Sequence, residues 1–180
     1  MLKCLVPVFE KGTFISILKI SFLGSIIAGL YGIFHDQITF AISNEYFSKL
    51  KYQQFGYLNF VDSDRLKVSM IGFLATWWVG LFLGWFLARW FLPHNSYSSA
   101  RSKIFKSFII TFITSIVLAT ASGVYVFLFG KSFNYLSWAQ IIKTYNIENS
   151  WAFVGVAYIH NASYLGALLG LLISLILVKR

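Results

Sequence analysis

The chain has 180 residues, 58% of them apolar and only 12% charged, with a formal net charge of +9. Soluble domains are about a quarter charged, so this is a membrane composition, and within such a length about four spans leave no space for a separate soluble domain. The single cysteine, Cys4, excludes an internal disulfide and a cysteine-based metal motif; the basic residues flank apolar segments, so membrane topology accounts for the charge and no nucleic-acid partner is expected.

The first predicted span covers 20–42. A signal peptide would need a shorter apolar run and a small-residue cleavage site. The run from Ile20 to Phe34 has no such site and continues into His35, Asp36 and Gln37, so it reads as a retained span. An outer loop, 43–67, follows with six aromatic residues, Tyr46 and Phe47 among them. That much aromatic surface does not stay in water, and the loop is expected to cap the bundle or lie on its rim.

Ser63 and Asp64 are placed to cap the second span, 68–91, which stops ahead of Pro93. The inner loop, 92–106, is basic and reads as a solvated turn around His94, Ser96, Ser98 and Ser99. The third span covers 107–129, with Gly130 as its C-cap. In the second outer loop, 130–150, Ser137 and Gln140 form a capping-box pattern that predicts a short helix reaching Tyr145. The fourth span, 151–178, ends at Lys179 and Arg180.

With the N-terminus placed in the cytoplasm, nine of the fifteen Lys and Arg residues fall on the inner side, and Glu10 is the one acid there. The positive-inside rule then puts both termini in the cytoplasm. All four spans carry small residues at four-residue spacing: Gly24, Ala28 and Gly32; Gly72, Thr76, Gly80, Gly84 and Ala88; Thr111, Ser115, Ala119 and Gly123; and Ala162, Gly166, Gly170 and Ser174. Such rows let membrane helices approach closely. They predict an all-α fold, a compact four-helix bundle in the lipid bilayer, with homo-oligomerisation or a membrane-complex partner as the other use of the stripes. Trp90, Trp138 and Trp151 fit an interfacial aromatic belt, whereas Trp77, Trp78 and Trp85 lie deeper, facing lipid or a neighbouring helix.

Polar side chains within spans are costly and mark either helix contacts or a site. At about 100° per residue, His35 and Thr39 project near the Gly24–Gly32 face and Asp36 lies at its edge. His160 comes from the opposite helix at a similar depth, so the two histidines are placed to meet. Asn161, Ser163 and Tyr164 are its neighbours, with Asn161 pointing nearly away from the stripe. The motifs of zinc peptidases, haem attachment, nucleophile elbows and phosphate loops are absent, and no catalytic residue is named. The reading these residues favour is a non-enzymatic structural or accessory membrane component, with the polar groups acting as hydrogen-bonding glue and no cofactor. The alternatives are proton or ion handling, or metal or haem binding, at His35, Asp36 and His160, and a small oligomeric transporter.

The run from His35 to Thr39, continued by Ser43, Glu45, Tyr46, Phe47, Ser48 and Lys49, resembles a pattern found in small bacterial integral membrane proteins of four spans. The run from His160 to Gly166, with Asn161, Ser163, Tyr164 and Leu165, resembles a second pattern from the same proteins. The resemblance implies a bacterial inner-membrane location and supports the choice of site residues; it carries no activity with it.

Overall fold

The computed structural model describes residues 11–179, and the side chains from residue 12 onward. Lys3, Cys4, Glu10 and Arg180, and the Lys11 side chain, lie outside the described residues. Four long helices dominate: α1 (Lys11–Ile42), α2 (Asp64–Phe91), α3 (Tyr97–Phe129) and α4 (Ser150–Leu177). All four are long and apolar enough to cross a membrane, and no strand occurs among the described residues. The fold is an all-α four-helix bundle of membrane-protein type.

The helices overrun the apolar stretches that announce them. α1 begins at Lys11, although its apolar run begins at Ile20, and α3 begins at Tyr97, so Ser98 and Ser99 are helical. Hydropathy marks the part of a helix that suits hydrocarbon; Thr13, Ser16 and Lys19, or Arg101, Lys103 and Lys106, extend the same helix beyond it. The turn between α2 and α3 shrinks to a 3₁₀ turn at Leu92–His94 plus Asn95 and Ser96.

Capping follows the sequence in part. Ser63 caps α2, accepting the Leu66 N–H, and Asn149 caps α4, accepting the Ala152 N–H. Gly130 stands at the C-cap of α3, but with right-handed φ of −58°, and the chain runs on into a 3₁₀ turn instead of the left-handed glycine cap. The short outer helix forms over Ala139–Thr144, but no side chain caps it: a 3₁₀ turn at Leu136–Trp138 leads in, and Ser137 is part of that turn.

The small-residue stripes pair the helices two by two. α1 and α2 lie antiparallel, with Gly24 against Gly80 and Gly32 against Gly72, and a Cβ on any of the four would collide with the opposite backbone. Thr76 adds a hydrogen bond across this seam, donating to the Ala28 carbonyl at 2.8 Å. α3 and α4 form the second pair. A Cβ on Gly166 would stand 2.6 Å from Ser115 Cα, and one on Gly170 would stand 2.7 Å from Thr111 Cα. On α4 the seam passes through Ser163, which is buried, while Ala162 is half-buried beside it. Contact between the two pairs is far sparser than contact within them.

Two apolar clusters close the bundle. At one end, labelled outer after the orientation the charges predict, Phe40, Tyr46, Phe47, Val68, Ile147 and Phe153 pack together, and at the opposite, basic end Ile17, Leu87, Phe91, Ala100, Ile104 and Phe108 do so. The aromatic outer loop divides its roles. Tyr46 and Phe47, on a π-helix at Tyr46–Lys51, plug the bundle, while Tyr57 and Phe60 stay exposed. Trp77, Trp78 and Trp85 lie on the outside of α2, each more than a third exposed.

Candidate functional site

Between the two apolar clusters lie a hydrogen-bonded polar network and a polar cluster without protein partners; Ser107 Oγ on α3 is a further buried atom with none. The satisfied network joins Tyr31 of α1 to the α3–α4 seam. The Tyr31 hydroxyl is 2.8 Å from Ser163 Oγ, and Ser115 Oγ donates to the Ser163 carbonyl at 2.7 Å while lying 3.0 Å from Ser163 Oγ. Each hydroxyl here has a partner, as interhelical glue requires.

The unsatisfied cluster is made of His35, Asp36 and His160. One donor atom from each can be chosen so that all lie within 4.8 Å of one another. His160 Nε2 is 3.8 Å from Asp36 Oδ1, beyond hydrogen-bond length. The two imidazoles meet edge to face with ring centroids 4.8 Å apart. His35 Nε2, Asp36 Oδ2 and His160 Nε2 are buried and have no hydrogen-bond partner in the protein. Buried polar groups nearly always have a partner, and exceptions mark ions, waters or working groups.

Helical periodicity assembles this cluster. His35 stands four residues after Tyr31, so the two rings stack at 5.5 Å on one face of α1. Asp36, the next residue, turns into the interior and is 3% exposed. His160 comes from the half of α4 that the outer loops wrap, where Phe153, Val154 and Val156 are all buried. Tyr46 of the π-helix stacks on the His160 ring at 5.2 Å. Single π-helical turns are rare and gather at functional sites; this one puts Tyr46 and Phe47 directly over the cluster. Below it is a cavity of about 50 Å³, lined by His35, Asp36, His160, Tyr31, Tyr164 and Thr76 among others. That is space for a few waters or an ion with its remaining ligands.

The remaining residues singled out from the sequence have other positions. Gln37 fastens α1 to α2: its amide donates to the Arg65 carbonyl and to Ser69 Oγ, and its Oε1 accepts from Arg65. The Thr39 hydroxyl donates back to the His35 carbonyl at 3.1 Å. Asn161 is exposed on the outside of α4. Ser163 belongs to the satisfied network. Tyr164 donates to the Ala75 carbonyl at 3.2 Å and lines the cavity.

Two charged residues outside the spans organise the cap over the cluster. Lys51, at the end of the π-helix, lies over the Tyr46 ring at 5.7 Å. Burial lowers its pKa, and the Asp36 carboxylate pulls in the opposite direction. Glu45 ties the two outer loops together, receiving Lys49 and the N–H groups of Glu148 and Asn149. Burial alone would raise the Glu45 carboxyl, but these donors outweigh it and hold its pKa below the usual value.

Sequence reasoning paired His35 with His160 by depth but missed Tyr31, whose one signal is its four-residue spacing from His35. Nothing in the spacing announces Lys51, because the π-helix brings it in. The two imidazoles stand in edge-to-face contact, so a haem between them would need both rings to move apart. Chemically, two imidazoles and one carboxylate make a three-ligand set of the kind used for zinc with an open position, or for non-haem iron. No protein-family model, curated protein or solved structure matches this chain.

Proposed function

We propose that this is an intramembrane cation-binding protein in which His35, Asp36 and His160 hold one divalent transition-metal ion. The observation that carries the reading is that His35, Asp36 and His160, each with a buried polar atom lacking a protein partner, bring one ligand atom apiece to within 4.8 Å of one another at the wall of a small cavity. A structural or accessory role accounts for the glycine seams and for the Tyr31–Ser115–Ser163 network, in which every group is satisfied. It leaves no reason to gather a carboxylate and two imidazoles in an apolar setting without joining them. Buried charge is stabilised by pairing or by coordinating a metal. A tetrahedral site with bonds of about 2.1 Å spaces its donors roughly 3.4 Å apart, so the 3.8 Å between His160 and Asp36 is near that spacing. The widest separation in the set, 4.8 Å, has to shorten by side-chain movement when an ion binds.

Titration of the purified chain with Co²⁺ tests this. Visible absorption bands saturating at one equivalent, and lost in Asp36→Asn, are the expected result. Absence of such bands, or their survival in Asp36→Asn, contradicts it.

A second reading, proton handling by the same three groups, draws on the cavity beside them, which has space for water. Proton flux that persists after metal removal and is abolished by His160→Ala would favour it. The transporter alternative has less support, since apolar clusters close the bundle at both ends.

The excess of Lys and Arg on one side favours both termini in the cytoplasm, and the resemblance to small bacterial membrane proteins favours a bacterial inner membrane. Among the described residues every acid (Asp36, Glu45, Asp62, Asp64 and Glu148) lies towards the outer end. Cysteines at Ser48 and at Ser96, in a Cys4→Ser background, test this orientation. Impermeant reagent added outside should label the first and spare the second; the reverse pattern overturns the orientation.

A further inference from the structure

The sparse contact between the helix pairs leaves lateral grooves facing the lipid. Two lie between α1 and α3. The outer one, about 550 Å³, has Phe34, Ile38, Ile116 and Val124 in its walls, reaches His35 and Thr39, and has no Lys or Arg. The one at the basic end, about 530 Å³, has Leu23, Ile27, Phe105 and Phe112 in its walls and is different at its mouth, where Tyr97, Ser98, Arg101 and Ser102 line it. Ring contact between Tyr31 and Phe112, with centroids 5.6 Å apart, separates the two. So, of two grooves of similar size, the one at the basic end carries a guanidinium beside two serine hydroxyls, and its neighbour has no Lys or Arg in its lining.

Among the described residues the charged side chains around that mouth are all positive. Arg101, Ser98 and Ser102 are exposed, and the Arg101 guanidinium lies over the Tyr97 ring at 5.8 Å. Lys19, Lys103 and Lys106 belong to the same end of the bundle, and no Asp or Glu among the described residues does. An apolar channel running into such a cluster matches an acyl chain below a negatively charged head. Arginine suits the head because its fork of donors meets phosphate oxygens two at a time. Basic pockets between membrane helices bind anionic lipid head groups by this chemistry.

We propose that the groove between α1 and α3 at the basic end binds one anionic phospholipid. Its phosphate is held by Arg101 with Ser98 and Ser102, and one acyl chain lies along the groove as far as Phe112. This site is separate from the His35–Asp36–His160 cluster and does not depend on the metal reading.

Native mass spectrometry of the full chain in mild detergent tests it, with dioleoyl phosphatidylglycerol and dioleoyl phosphatidylcholine as paired probes of identical chains. One phosphatidylglycerol should be retained in preference to phosphatidylcholine by roughly fivefold, the factor that one basic residue contributes at an anionic surface. Arg101→Gln should remove that preference, while Arg101→Lys keeps part of it and Lys131→Gln, at the opposite end, keeps all of it. Glycerol phosphate, which has the phosphate without the chain, should not displace the lipid. Equal retention of the two lipids, an unchanged preference in Arg101→Gln, or displacement by glycerol phosphate overturns the proposal. Unaltered helicity and thermal midpoint in Arg101→Gln exclude misfolding as the cause of a loss.

Discussion

His160 Nε2 and Asp36 Oδ1 stand 3.8 Å apart across the interface of α4 and α1, near enough to attract and too far to hydrogen-bond. Around them the Tyr31, Ser115 and Ser163 hydroxyls are fully engaged. The contrast within one bundle separates groups joined by hydrogen bonds from groups with no protein partner, and the predictions follow from it.

The satisfied network should behave as glue. Ser115→Ala and Ser163→Ala should each destabilise the folded bundle by about 1 kcal/mol, and the double variant should lose less than the two singles combined, because the two side chains share one contact. Metal stoichiometry should not change in any of them. Unfolding in detergent, followed by circular dichroism with parallel metal analysis, checks both halves; a loss of metal in Ser163→Ala would join the two networks into one.

Lys51 should oppose a cation at the cluster. It is coupled to Asp36 through space and is partly desolvated beside Tyr46. A positive charge near a bound divalent ion repels it strongly in a poorly screened setting. Lys51→Met should therefore tighten metal binding roughly tenfold, while Lys51→Arg leaves it near the parent value. Competition against a chelating dye measures this, and equal affinities for the parent and Lys51→Met would remove Lys51 from the account.

Much of the bundle was legible in the residues. Glycines spaced by four, such as Gly24 and Gly32 facing Gly80 and Gly72, signal close helix contact because only a missing Cβ allows it. Depth counting placed His160 beside His35 because helical rise is constant. What stayed hidden depends on contacts distant in sequence. Helical phase left Asp36 at the edge of the stripe, whereas the packing of α4 and the π-helical cap encloses it completely. Ser137 lost its predicted capping role because tertiary contacts of Trp138 with Phe153 and Tyr158 organise that turn. Glu45 meets Glu148 and Asn149 about a hundred residues later, a separation that no local pattern records.

Glu45 makes the outer cap sensitive to pH. Its carboxyl pKa is depressed in the fold by the Glu148 and Asn149 N–H groups and by Lys49, which outweigh the effect of burial. A depressed carboxylate stabilises the cap above its unfolded pKa and loses that contribution as pH falls through the folded value. The exposed Glu148 carboxylate lies 3.9 Å from Lys49. Hydrogen exchange at residues 146–149, corrected for intrinsic rates, should quicken as the solution is acidified below the ordinary carboxylate range. Glu45→Gln should show roughly tenfold less protection already at neutral pH and little further change with acid. A pH response in Glu45→Gln equal to that of the parent would assign the effect to another group.

The most direct test of the central claim is elemental analysis of the full chain, purified in detergent after growth with zinc, iron and manganese. The account predicts about one transition-metal ion per chain, a stoichiometry that Ser115→Ala retains and that Asp36→Asn and His160→Ala lose while remaining helical. A parent protein that holds no stoichiometric metal, or a His35→Ala/Asp36→Asn/His160→Ala variant that holds as much as the parent, would contradict it.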